Sequence, residues 1–187
     1  MSLTCLRLRA VCRAVGYSKH FTRTGTANMS VKVGDGLPNA ELFENTPDNK
    51  IQVQEAFKSG THIIFGVPGA FTPGCSKTHL PGYVNGFDKL KGKGIETVNC
   101  VSVNDPFVME AWGKAQNADG KVRMLADTCG TFTKGLGLDL DVTAVLGNVR
   151  CKGFSMVVKD GKVENLFVEP DGTGLTCTLS ENVMDKL

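Results

Sequence analysis

THIIFGVPGAFTPGCSKTH, residues 61–79, changes character halfway along. Its first seven residues are a short apolar, β-branched run that stops at Pro68, the pattern of a buried strand. Two prolines, two glycines and Thr72 then separate Val67 from Cys75. From Cys75 to residue 91 the pattern is helical, with Tyr83, Phe87 and Leu90 on one side and a kink expected at Pro81–Gly82. A buried strand that feeds a helix through a stiff connection is a building unit of an α/β domain.

The same alternation continues outward. IETVNCVSV (95–103) is a second buried strand, and its length and valine content suit the centre of a sheet. Asp105 caps a helix opened by Pro106 and running through Trp112. VRMLAD (122–127) is a third strand, and TCGTFTKGLG a short helix closed by glycines. In FSMVVKDGKVENLFV (154–168) two apolar stretches flank Asp160-Gly161, a hairpin signature. SENVMDKL reads as a last short helix capped by Ser180. These elements predict a mixed central β-sheet flanked by helices, with residues 30–187 as one domain.

Residues 1–29 differ from this body. Six of the 21 basic residues lie within residues 1–34, ahead of the first acid, Asp35. Residues 35–187 therefore carry 15 basic against 19 acidic groups, a net charge of −4. That mildly acidic body gives no electrostatic footing for nucleic acid. No run approaches the ~20 apolar residues of a membrane helix. The leader is acid-free and rich in hydroxyl residues, and Leu3, Leu6, Val11 and Val15 can share a helical face away from Arg9 and Arg13. This is the composition of a mitochondrial transit peptide, with a disordered tail as the alternative. Met29 offers a second start and hence a shorter cytosolic product. The terminal Asp185-Lys186-Leu187 only half matches a peroxisomal Ser-Lys-Leu address.

The chemistry centres on Cys75. Seven scattered cysteines without a CxxC pair fit neither a zinc site nor a secreted disulfide framework, so free thiols are expected, one or two of them reactive. No metal or cofactor is called for. Cys75 falls in a first helical turn, where backbone N–H groups lack partners and the helix dipole favours a thiolate. Lowering a cysteine pKa from ~8.5 to ~6 takes roughly 3.4 kcal/mol, whereas a helix terminus supplies about 0.3–1 kcal/mol, or ~2 when partly buried. Hydrogen bonds, with Thr72 as one donor, and a nearby guanidinium are expected to supply the rest. A Cys75–His79 hydrolase dyad is unfavourable, since positions i and i+4 on one helix aim the same way. Cys100 reads as a buried small hydrophobe.

GVPGAFTPGCSKTHLPGY closely resembles the active-site loop of the peroxiredoxins, in particular the atypical two-cysteine subgroup of the peroxiredoxin 5 type. KVGDGLP (32–38), SVNDPFV (102–108), FSMVVKDG (154–161) and VEPDGTGLTC (168–177) resemble further blocks of that subgroup in the same order, so the likeness covers about residues 31–187. It implies a thioredoxin-like fold. It implies reduction of hydrogen peroxide, alkyl hydroperoxides and peroxynitrite, thioredoxin as reductant, and a monomer or homodimer. By position it makes Cys75 the peroxidatic cysteine, Thr72 the hydroxyl beside it, and Pro68 and Gly74 the residues that shape the loop at the substrate. Cys177, in a glycine-rich loop expected to be mobile, becomes the resolving cysteine that closes an intramolecular disulfide.

One position departs from the family. The catalytic arginine should precede FSMVV, where this chain has Gly153. Residues 31–187 contain only Arg123 and Arg150. Strand alternation sets residue 150 on the opposite face from 153, so a bulge or twist is needed for Arg150 to serve as the cation, with Lys152 as the less favoured substitute. Gly153 also keeps open a non-catalytic redox sensor or binding protein on the same fold. A disulfide oxidoreductase is disfavoured by the missing CxxC.

Overall fold

The structure, a computed structural model, describes residues 30–187; the expected leader lies outside them. The chain runs β1 (Glu41–Glu44), β2 (Thr46–Gln52), α1 (Val53–Ala56) and β3 (Thr61–Gly66). A π-helical turn (Cys75–His79) leads into α2 (Leu80–Gly92), then β4 (Thr97–Ser102), α3 (Pro106–Ala115), β5 (Val122–Ala126) and α4 (Thr131–Gly135). After these come β6 (Asp139–Asp141), α5 (Thr143–Leu146), β7 (Val149–Cys151), β8 (Phe154–Lys159), β9 (Lys162–Val168) and α6 (Ser180–Met184).

The main sheet has seven strands in the order β2-β1-β5-β4-β3-β8-β9, and β6 and β7 form a separate ribbon. β3, β4 and β5 are mutually parallel and the other pairs antiparallel, giving the mixed sheet foreseen. β4 lies at the centre, and its residues Val98–Ser102 are all buried, because both faces are covered. One face carries Phe65, Leu80, Tyr83, Leu90, Met109 and Trp112, and the other Leu42, Phe57, Ile64, Phe132, Phe154 and Met156. The Asp105 carboxylate accepts the Val108 N–H at 3.0 Å, as its capping position requires. Asp160 (φ 48°) and Gly161 (φ 78°) take the left-handed conformation of a tight hairpin turn.

Three local details depart from expectation. The kink at Pro81 is realised one turn earlier, as the π turn. Pro81 lacks an N–H, and its ring would strike the Lys77 carbonyl in a regular helix. The wider turn instead bonds the Leu80 N–H to Cys75 O. Ser180 does not cap α6. It is buried against α2, where a Cβ on Gly82 would come within 3.2 Å of its Oγ. The β1–β2 hairpin has no apolar run to betray it, since β2 is almost wholly exposed. It rests on the fully buried Leu42 and on a turn at Asn45 (φ 64°), a residue type that tolerates this conformation.

Candidate active site

The loop between β3 and α2 is tied down by its own short bonds. Thr72 Oγ1 donates to Gly69 O at 2.9 Å, and Ser76 N donates to Thr72 O at 2.9 Å. Ala70 N donates to the Asn104 side chain at 3.1 Å. Phe71 sits at φ 62°, a strained conformation for an aromatic residue, and so turns the chain sharply enough to set Thr72 beside Cys75. Trp112, buried on α3, donates its indole N–H to Ser76 Oγ at 3.0 Å and fixes the turn from below.

Cys75 is only 5% exposed and lies on a cavity of about 310 Å³. Pro68, Thr72 and Gly74 line it from the loop, Val145 and Leu175 wall it, and Gly153 completes it. The fold thus unites Cys75, Thr72, Pro68 and Gly74 as the sequence suggested. Burial pushes the Cys75 thiol above its ordinary value, against the opposing pull of the Thr72 hydroxyl and the backbone of Gly69 and Cys75. Burial of the sulfur thus opposes its ionisation while the bonds around it favour it.

Arg150 does not lie on the cavity. β7 stops at Cys151 and the chain breaks from strand geometry before β8, which turns Arg150 toward the rear of the loop. Its guanidinium donates to Val103 O at 2.9 Å and to the Asn148 side chain, and Nη1 stands 3.6 Å from where a Gly69 Cβ would be. The Arg150 guanidinium is thus spent on Val103 O and Asn148 beside the Gly69 turn. Gly153 is on the cavity but is packed tightly, since a Cβ there would meet Glu169 Cγ at 3.1 Å.

Cys177 is a free thiol, not bonded to Cys75, and its segment is held by hydrogen bonds from several elements. Its Sγ faces Val168 O at 3.5 Å and Glu169 Oε1 at 3.7 Å. Thr178 O accepts from Tyr83 at 2.7 Å and lies 3.1 Å from His79 Nε2. Asn182 donates to Thr176 O at 2.7 Å. Glu169 takes the N–H groups of Thr176, Cys177 and Thr178. His79 therefore hydrogen-bonds beneath the site. Burial brings its pKa down to about 4, and its Nδ1 is buried without a partner. Glu169, Tyr83 and Trp112 were not singled out as site residues. Glu169 left one sequence signal, an acid followed seven and nine residues later by Thr176 and Thr178. Cys100 and Cys151 are fully buried and Cys129 is exposed.

A thioredoxin-like sheet with a buried cysteine at a strand-to-helix turn defines a class of thiol-based oxidoreductases. The Redoxin family model matches residues 32–186. Peroxiredoxin-2F, mitochondrial, of Arabidopsis thaliana is 35% identical, covering 100% of this chain and 96% of its own. Reduced Prx3 of Vibrio vulnificus in complex with H2O2 is 42% identical, with a TM-score of 0.78 over 83% of this chain and 98% of its own. Peroxiredoxin 5 of Alvinella pompejana is 41% identical, with a TM-score of 0.73 over 84% and 99%. The chain belongs to the Redoxin family, as a peroxiredoxin of the peroxiredoxin 5 type. It is a thiol peroxidase.

Proposed function

We propose that Cys75 reduces hydrogen peroxide and alkyl hydroperoxides, and peroxynitrite as a further substrate, and that Cys177 resolves the product. The thiolate of Cys75 attacks one peroxide oxygen, and the O–O bond breaks. The leaving oxygen takes up a proton from solvent and departs as water or an alcohol, or departs as nitrite from peroxynitrous acid, and Cys75 becomes a sulfenic acid. The Cys177 thiolate then attacks that sulfur and displaces hydroxide, which takes up a proton as water and leaves a Cys75–Cys177 disulfide. A dithiol of the thioredoxin type returns both thiols.

The observation that carries this reading is Cys75 at a cavity beside Thr72, with the backbone of Gly69 and Cys75 bonding to its sulfur. Pro68 and Gly74 shape the mouth, and Val145 and Leu175 favour the alkyl part of an organic hydroperoxide. Stopped-flow mixing of reduced protein with hydrogen peroxide or cumene hydroperoxide tests the scheme. Fast loss of one thiol equivalent, then a disulfide mapped to Cys75–Cys177, is the expected result. Peroxide consumption that survives Cys75→Ser would overturn it.

Gly153 favours a second reading, a redox sensor that reacts with peroxide without rapid turnover. Slow oxidation by peroxide and no recycling with thioredoxin, thioredoxin reductase and NADPH would select it. For location we propose a mitochondrial leader over residues 1–29, with a cytosolic form from Met29. The mitochondrial relative, which covers the whole chain, supports this. Among the described residues no helix is long and apolar enough to cross a membrane.

A further inference from the structure

Glu169 is the most heavily bonded side chain in the described protein. It is 1% exposed, at the end of β9. Oε1 accepts the N–H groups of Thr176 (2.9 Å), Cys177 (3.0 Å) and Thr178 (3.0 Å) and the Thr178 hydroxyl (2.8 Å). Oε2 accepts the Thr176 hydroxyl at 2.7 Å. Every polar donor of residues 176–178 except the Cys177 thiol proton is thus spent on one carboxylate, and that thiol is itself 3.7 Å from Oε1. The carbonyls of Thr176 and Thr178 are held separately, by Asn182, Tyr83 and His79.

This arrangement opposes the step assigned to Cys177. A disulfide needs its two sulfurs about 2 Å apart with Cβ atoms about 4 Å apart. Cys177 Sγ instead faces Val168 O and Glu169. To reach Cys75 the segment must leave the carboxylate, which means giving up several charge-assisted bonds together. We propose that Glu169 is the latch of the resolving segment, a positioning residue that seats Cys177 while Cys75 is reduced and limits how fast Cys177 closes on the Cys75 sulfenic acid. The inference rests on the resolving role given to Cys177 above. It adds what sets the lifetime of the sulfenic acid, and hence how readily a second peroxide carries Cys75 on to sulfinic acid.

Electrostatics support the latch. Burial raises the Glu169 carboxyl, but the bonds from Thr176, Thr178 and the backbone outweigh it and bring it down to about 2, so the latch is charged at every working pH. Burial first, and the Glu169 charge second, push the Cys177 thiol above its ordinary value. Other titratable groups face this segment. Asp171, in the same turn, spends its carboxylate on the N–H groups of Thr173 and Gly174. His79 and Tyr83 face it from the helix, the first kept neutral and the second kept protonated by burial. Removing the Glu169 charge therefore loosens the segment and eases ionisation of Cys177.

The test follows the two oxidation phases of the full chain after one equivalent of hydrogen peroxide. Trp112, the single tryptophan, is bonded to the turn of Cys75 and reports both phases. In Glu169→Gln the second phase is expected to be about tenfold faster or more, with its pH midpoint moved down and the first phase unchanged. Less Cys75 sulfinic acid should form at a given peroxide dose. The double variant Thr176→Val/Thr178→Val keeps the charge and removes two donors, one of which favours the Cys177 thiolate, so it should speed the second phase without the downward shift of the midpoint. It also serves should Glu169→Gln fold poorly. A second phase unchanged in rate and midpoint overturns the latch. A second phase and a disulfide that persist in Cys177→Ser overturn the resolving role beneath it, a separate failure.

Discussion

The two cysteines assigned to the reaction are held in opposite ways. Cys75 is fixed by short-range geometry, on a loop bonded to itself through Thr72, Gly69 and Ser76, with its sulfur left to an apolar cavity. Cys177 is fixed by bonds from three other elements, α2, α6 and the end of β9, and its sulfur lies beside a carboxylate. A sulfur that must receive a substrate needs a rigid seat and an open face. A sulfur that must travel needs a seat it can leave, and bonds between side chains and one short segment can be broken without disturbing the sheet.

The largest way to disturb this contrast is to restore a cation at Cys75. Gly153→Arg should bring a guanidinium to the cavity, where an opposite charge within ~4–6 Å lowers a pKa by ~1–3 units. The first oxidation phase at pH 7 should rise about tenfold or more, and thiol titration should show the drop. Glu169 Cγ must yield a few tenths of an ångström to admit the new Cβ. In the natural chain the thiol is raised, so the first phase should keep accelerating as pH climbs above neutral.

Acid probes the other seat. Glu169 is depressed in the fold, so the stability it contributes is fully present above its unfolded pKa near 4.5 and is lost as pH falls toward 2. Urea unfolding of the natural protein should lose about 2–3 kcal/mol over that interval beyond what Glu169→Gln loses. Tyr83→Phe is a smaller change. It leaves Ser155 Oγ without its 2.8 Å partner and removes one bond to Thr178 O, at a cost of about 1–2 kcal/mol by urea unfolding. Ser76→Ala is smaller still. Loss of the bond from the Trp112 indole should cost about 1 kcal/mol and slow the first phase a few-fold, with the reporter tryptophan kept.

The Cys75 seat was legible in the sequence because its determinants are contiguous. Strand, prolines, Thr72 and cysteine follow one another within residues 61–75, and local sterics act at that range. Strands β3, β4, β5 and β8 were readable because each buries an apolar run, and β9 because the Asp160-Gly161 turn returns the chain along β8. β1 and β2 were not, since a mostly exposed hairpin needs only Leu42 and Asn45. The glycines before Cys177 suggested mobility, but clamps on that segment come from residues as far as 99 positions away, such as His79 and Tyr83. Likewise, residue 150 could be placed relative to 153 by strand alternation only if one strand joined them, and the break after Cys151 removes that premise.

The account stands most directly on where the first oxygen lands. Reduced Cys177→Ser protein given one equivalent of hydrogen peroxide, trapped with a sulfenic-acid reagent and mapped by peptide mass spectrometry, should carry the trapped oxygen on Cys75 alone. Label on Cys129, Cys100 or Cys151 with Cys75 unmodified would contradict it.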